Sequence, residues 1–380
     1  MKSLSIAENP AALGKRTANV LSRPNQLQVW PRILGGGEKV AWDEFTKQYG
    51  SVFSSSNWVG LQCKGRDASL FLAVKDEIGL CGVCAIVHTQ RLGRLLGGKF
   101  TIQGNPVIRN GTQDSGEVSD MLFDAIEREA RKRGVVSIEF EGFWTTWPDA
   151  SVLQRHGYRV RDIKGWVVDL TGSEAELYRR VAPSHRNRKN QAEKKHGVTI
   201  NESDDVAAIH RLWCATYERA GKRVPAGALD YLRRVYAELA PLGMARIWLA
   251  RKDGQVISGC FNLYYGDTVY YWHGGSISGE RFGASQLLHW SIIRDSRTDF
   301  RRYHMGGSRL DYENPALRKQ GEGIDTFKRL WGARPHDFYW GSKILRPVAH
   351  RVITDWIVPF ARRIKALKAY PRGDGRLLGL

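Results

Sequence analysis

No uncharged apolar run reaches the ~18 residues that a bilayer-spanning helix needs, so a spanning helix is excluded. Cysteine is scarce: five in 380 residues make no disulfide framework, which fits a reducing, cytoplasmic setting. Residues Met1 to Leu21 are broken by Glu8, Asn9, Pro10, Lys15 and Arg16, and without an apolar h-region they are not expected to be a secretory signal. There is no Walker loop, no Gly-x-Ser-x-Gly elbow and no His-Glu-x-x-His. Cys81-Gly-Val-Cys84 lacks a second Cys or His pair at ligand spacing and reads as a buried strand, so no metal site is expected. Carboxylates are also in short supply, with 39 Asp plus Glu against 58 Lys plus Arg and a formal charge of +19. Such a field concentrates anionic partners, whether nucleic acid, anionic lipid head groups or phosphate-bearing substrates.

What is present is enough apolar material for real cores: 42% hydrophobic residues, with 13 Trp, 14 Tyr and 13 Phe. The length predicts two domains. Strand patterns at Leu70–Val74, Gly79–His88 and Val135–Phe140 alternate with helical patterns at Lys39–Tyr49 and Val118–Lys132, the grammar of an α/β domain. The second half repeats it. Ser173 and Glu176 form a capping box at a helix start, and helices are expected over Asp205–Ala220, Leu229–Glu238 and Ala284–Ser296. Strands are expected over Ala245–Arg251, Val256–Tyr265, Val269–His273 and near Phe300–Met305. The expected division is a leader (1–37), an N-terminal domain (38–170), a C-terminal domain (171–342) and a tail (343–380).

The cations are unevenly placed. Residues 1–170 hold 22 Lys and Arg against 18 Asp and Glu, while residues 343–380 hold nine against two. The densest internal patch is Arg179, Arg180, Arg186, Arg188, Lys189, Lys194 and Lys195. From Ile344 to Lys368, apolar residues at Leu345, Val348, Val352, Trp356, Phe360, Ile364 and Leu367 predict a basic amphipathic helix, which Pro359 would kink. Such a helix either lies on an anionic membrane surface or packs its stripe on the parent domain.

Particular residues carry a family resemblance. Tyr271-Trp-His-Gly-Gly-Ser276, Leu287-Leu288-His-Trp290, Tyr303-His-Met-Gly-Gly-Ser308 and Gly323-Ile-Asp-Thr-Phe327-Lys328-Arg-Leu-Trp331-Gly332 occur in the order found in the C-terminal domain of Fem-type N-acyltransferases. Ser56-Asn-Trp58, Gly104-Asn-Pro-Val107, His156-Gly-Tyr158 and the basic stretch Arg186 to Gly197 follow the same order more loosely. The chain therefore resembles that family, which belongs to the GNAT superfamily, over about residues 40–342. The resemblance implies two tandem GNAT-like domains with mixed central sheets and an acyltransferase of EC class 2.3. It would move an acyl or aminoacyl group to an amine of a peptidoglycan- or polysaccharide-related precursor. The donor would be aminoacyl-tRNA or acyl-CoA, with no permanently bound cofactor. The GNAT pyrophosphate signature is degenerate here, Arg281-Phe-Gly283-Ala-Ser-Gln, where a diphosphate loop wants more small residues, and this weakens the acyl-CoA reading.

The resemblance gives Lys328 the role of a cation near the reacting carbonyl, with Phe327 bracing it. Arg186 and Arg188 are candidates to grip phosphate oxygens, since a guanidinium binds them as a fork. Tyr271, His273 and Ser276 stand at the end of a predicted strand leading through a Gly-Gly turn, and Gly306 and Ser308 occupy the matching place on the next strand. His273 or His304 is a candidate base, and Asp311, Glu313, Glu322 and Asp325 are candidate proton acceptors. Two other readings remain open at this point: an acetyl-CoA-dependent N-acetyltransferase of an amino sugar or other small amine, and a non-catalytic nucleic-acid-binding protein.

Overall fold

A computed structural model describes residues 26–31, 34–65, 67–90, 97–112, 114–142, 150–308 and 315–357. In its first half the elements are β1 (Gln26–Pro31), α1 (Gly36–Tyr49), α2 (Ser56–Gln62), β2 (Ala68–Asp76), β3 (Gly79–Gln90), β4 (Gly98–Ile102), β5 (Val107–Ile108), α3 (Ser115–Lys132), β6 (Ser137–Glu141), α4 (Ala150–Arg155) and β7 (Arg159–Asp169). The second half comprises α5 (Glu174–Arg180), α6 (Pro183–Lys194), β8 (Thr199–Ser203), α7 (Val206–Arg219), α8 (Ala228–Leu239), β9 (Ala245–Lys252), β10 (Gln255–Tyr265), β11 (Thr268–Ser276), α9 (Ala284–Ser296), β12 (Arg302–Ser308), α10 (Pro315–Arg329), β13 (Arg334–Ile344) and α11 (Pro347–Arg351).

The expected strands and helices form within a few residues of their predicted ends. Local chemistry explains why. The Ser173 hydroxyl accepts from Glu176 N–H while the Glu176 carboxylate accepts from Ser173 N–H, so the capping box opens α5. In α3 the residues Val118, Leu122, Phe123, Ile126 and Ala130 share one buried face, as their three- and four-residue spacing requires. Strand residues divide between the two faces of the sheet. Leu70, Leu72 and Val74 meet α3, while Phe71 and Ala73 meet Trp42 and Phe45 of α1.

All strands among the described residues join one mixed sheet in the order β1-β2-β3-β4-β6-β13-β7-β12-β11-β10-β9-β8, with β5 beside β3. Each half has the same plan: antiparallel strands leading to one parallel pair, β4 with β6 and β11 with β12. The halves also exchange strands. β13, from the far end of the chain, pairs with β6, and β7, from the first half, pairs with β12. β13 and β7 pair with each other in between, so the sheet continues unbroken past residue 170. One core reflects this union, since Phe53, Trp58 and Ile163 pack with Trp213, Phe261, Trp272 and Phe338.

The tail departs from expectation. Ile344 is the last residue of β13 rather than the start of a long helix, and α11 then gives way to a π-helical segment, Val352–Ile357. Leu345 packs on the N-terminal core. Val348 and Trp356 are 78% and 75% exposed and Val352 is exposed as well, so this part of the stripe faces solvent. Residues 358–368 of the expected helix lie outside the described residues.

Candidate active site

Along the parallel pair of the second half, β11 and β12 are in register at Thr268↔Arg302, Val269↔Tyr303 and Tyr270↔His304. Beyond that point both strands continue without pairing. Two irregularities accompany the split: a bulge in β11 opposite Phe261/Asn262 of β10, and a register shift of β12 between His304 and Gly307. A cavity of about 400 Å³ opens against this fork, walled by α7, the end of β11, α9 and α10.

Lys328 lines it from α10 and is only 4% exposed. Its ammonium donates to the carbonyl oxygens of Gly306 (3.1 Å) and Gly307 (3.0 Å), which the parted strand leaves without a ladder partner at β11. Two of its three donors are thus used, leaving one for a ligand. Burial pulls its pKa down to about 8, partly opposed by the nearby Asp325 carboxylate. Gly306 has φ +79°, a left-handed backbone that glycine adopts without a Cβ clash.

Tyr271, His273, Ser276 and Phe327 line the same cavity, so five of the sequence candidates converge with Lys328 included, and Gly306 joins them through its carbonyl. His273 is 3% exposed and lies between Trp213 and Trp272, with ring centroids 4.3 Å from each. Its Nε2 is buried without a partner, and burial pushes its pKa down to about 3. His304 sits behind the strand, accepting Gly306 N–H at Nδ1 (3.0 Å), and is likewise held neutral by burial. Arg186 and Arg188 are on α6, away from the cavity wall. Arg186 lies over the Tyr178 ring, 5.6 Å from its centroid, and Arg188 is exposed. The Ser308 side chain, Asp311 and Glu313 lie outside the described residues. Glu322 is exposed, and the Asp325 carboxylate accepts from Trp166 Nε1 (2.7 Å).

Sequence reasoning missed several walls of the cavity. Arg219 and Lys222, at the end of α7, line it. The Arg219 guanidinium is aimed by hydrogen bonds to the Ser276 carbonyl (2.8 Å) and the Thr216 hydroxyl (3.2 Å). His289 of α9 was quoted only as part of a motif, yet it also lines the wall. The signal in the sequence was the cation cluster following the α7 stripe, Arg219, Lys222 and Arg223. Among the described lining residues there are three cations and no carboxylate. The start of α9 is also informative. Phe282 N–H (2.6 Å) and Ala284 N–H (3.2 Å) both donate to the Glu280 carboxylate, so the anion-attracting end of this helix already holds an anion from the chain itself.

Comparison with known proteins agrees with this architecture. Residues 179–314 match the family model described as an acetyltransferase (GNAT) domain. The UDP-N-acetylmuramoylpentapeptide-lysine N(6)-alanyltransferase of Weissella viridescens is 25% identical over 189 residues, which cover 44% of this chain and 54% of that protein. The chain thus spans about half the length of that relative. Among solved structures, FemX superposes with a TM-score of 0.68 at 15% identity, covering 86% of this chain and 99% of FemX. A tandem GNAT protein from the clavulanic acid biosynthesis pathway gives a TM-score of 0.50 at 13% identity, over 84% of this chain and 98% of that one. No helix among the described residues is long and apolar enough to cross a membrane. The plan of two matching halves, the GNAT family match within residues 179–314 and the likeness to FemX agree with one another: the chain carries a match to the GNAT family in its second half and shares its fold with FemX.

Proposed function

We propose that the protein is an acyltransferase that moves an aminoacyl group from aminoacyl-tRNA to an amine of a peptidoglycan-related precursor. The observation that carries this reading is the buried Lys328 ammonium at the strand fork, in a cavity whose charged lining residues, among those described, are all cations. A carbonyl carbon attacked by an amine develops negative charge on its oxygen. A desolvated ammonium with one free donor stabilises that charge more strongly than water does. Arg219 and Lys222 at the mouth suit phosphate oxygens of the acceptor, and the relative's name supplies the acceptor class, a UDP-linked muropeptide with a lysine amine. Arg188 and the neighbouring cations of α6 suit the backbone of the tRNA donor, with Arg186 fixed against Tyr178. Tyr271, Ser276 and Phe327 line the acceptor and acyl channel, and the Gly306 carbonyl holds Lys328 beside it.

Two features favour tRNA over acyl-CoA. The helix end that would hold a diphosphate is filled by Glu280, and bringing a second anion there costs repulsion. The excess of cations in the second half suits a polyanion. His273 and His304, held neutral by burial, are too weakly basic to hold a proton from an amine at neutral pH, so the Lys328 fork carries the chemistry and His273 orients substrate. The protein would work in the cytoplasm, where charged tRNA is found. Exposed Val348, Val352 and Trp356 beside a cationic tail support peripheral contact with the inner membrane face.

The test is to supply purified protein with tRNA charged with a labelled amino acid, or with acetyl-CoA, and a UDP-linked pentapeptide bearing a lysine amine. The expected result is a product heavier by one aminoacyl residue, formed only with charged tRNA. Acetylation from acetyl-CoA alone would overturn the donor assignment.

A further inference from the structure

His289 lies behind no other polar group of the reaction as drawn so far, yet its geometry is tightly specified. The side chain comes from the middle of α9, is 4% exposed and lines the cavity with Lys328. Its Nδ1 is 2.8 Å from the Tyr303 hydroxyl. Tyr303 is fully buried on β12, and among the described residues its hydroxyl has no other hydrogen-bond partner. A buried phenol cannot leave its proton without an acceptor except at the full cost of desolvating it. Burial also pushes its pKa well above the usual value, so the proton stays on oxygen. Tyr303 therefore donates to Nδ1, and the neutral imidazole must carry its own hydrogen on Nε2. Among the described residues that nitrogen has no hydrogen-bond partner, and it is not sealed off but meets the cavity.

We propose that His289 is a catalytic residue of the transfer, its Nε2–H donating a hydrogen bond to the same carbonyl oxygen that Lys328 attracts. Tyr303 is its positioning residue. The inference rests on the aminoacyl transfer reading above. In the step, the acceptor amine nitrogen bonds to the ester carbonyl carbon and the C=O electron pair moves to oxygen, between Lys328 and His289. The pair then returns, the ester C–O bond breaks, and the proton lost by the amine passes to the departing hydroxyl oxygen of the tRNA ribose. His289 keeps its hydrogen throughout. It acts as a fixed dipole, which costs no reorganisation as charge develops.

The experiment compares wild type with His289→Leu, His289→Gln and Tyr303→Phe in steady-state transfer from charged tRNA, with melting temperature followed for each. ¹⁵N NMR of the His289 ring in wild type and Tyr303→Phe reports the tautomer directly. The expected kcat loss for His289→Leu is about 10²- to 10³-fold with little change in KM, the usual effect of one oxyanion donor. His289→Gln, which restores an N–H at similar reach, should recover most of it. In Tyr303→Phe the ring should lose its single Nε2–H tautomer and kcat should fall about tenfold. A folded His289→Leu enzyme with wild-type kcat, or a wild-type spectrum showing Nδ1–H, overturns the proposal. Wild type that transfers nothing from charged tRNA would instead defeat the underlying reading, and the tautomer measurement stands apart from that result.

Discussion

In the first half of the sheet, β4 and β6 stay paired from Lys99↔Ser137 to Ile102↔Phe140; in the second, β11 and β12 part after Tyr270↔His304. The side chains follow suit. Phe100, Ile102, Ile138 and Phe140 are fully buried and fill the space at the first pair, and Lys99 is turned outward to Glu139. At the second pair the equivalent space holds Lys328 and opens into the cavity. Two units with one plan thus reach opposite ends. One completes its ladder and packs apolar residues; the other leaves carbonyls unpaired and spends them on holding a buried cation. A lone ammonium away from water is costly. It persists at the fork held by two carbonyl dipoles, with the Asp325 carboxylate nearby, and that is the feature on which the proposed activity of this half rests.

The sharpest way to break the comparison is to remove the lysine at each parallel pair. Lys328→Met should lower kcat about 10²- to 10³-fold, as loss of an oxyanion stabiliser does. Its melting temperature should change little, because relief of a buried charge is offset by the Gly306 and Gly307 carbonyls losing their donor. Lys99→Met should leave kcat unchanged and cost about 1 kcal/mol of stability, the loss of one partly buried ion pair. Steady-state transfer and thermal unfolding of both variants decide it. Equal turnover in Lys328→Met and wild type would end the distinction between the halves.

Much of this contrast was legible in the sequence, and the illegible part has a common cause. The stripes of α3, α7 and α8 and the Ala284–Ser296 helix are local patterns, fixed by spacing alone. Lys328, Tyr271, His273 and Phe327 were found through motif resemblance, and the fold brings them to one cavity. β13 escaped because its neighbours are 165 or more residues away in sequence and its side chains do not alternate; of its eleven residues only Phe338 and Gly341 are buried. Strand exchange is a tertiary fact with no local signature. Arg219 escaped for a similar reason: what aims it, the Ser276 carbonyl, is 57 residues further along. The tail was misread as one long helix because its three- and four-residue spacing runs straight through the last residue of a strand.

A second, smaller effect sharpens the comparison through pH. With Lys328 pulled down to about 8 in the folded protein from the ordinary lysine value of 10.5, the ammonium is fully present below about pH 7 and lost as pH rises through 8. Turnover should therefore fall on the alkaline side with a midpoint near 8. Stability should move the other way. Between about pH 8 and 10.5 the unfolded chain binds the proton that the folded one has released, so this group makes folding more favourable as pH rises. Lys328→Met should lack both trends, whereas Lys99→Met should keep them. An alkaline limb at the same position in Lys328→Met would assign it to another group.

The smallest expected effect concerns donor binding and again sets one half against the other. Arg188 is exposed on α6 of the second half; Arg131 is exposed on α3 of the first, where Glu127 pairs with it at 3.3 Å. If the polyanion lies along α6, Arg188→Gln removes one released counterion. The slope of log affinity for tRNA against log salt should then shrink by about 1, with affinity lowered a few-fold regardless of tRNA sequence. Arg131→Gln should leave slope and affinity alone, since its charge is already balanced on a face without the cation cluster. Filter retention of labelled tRNA at several salt concentrations measures both. Equal slopes for the two variants would move the donor off α6 and leave the strand fork, rather than the distribution of charge, as the only feature that separates the halves.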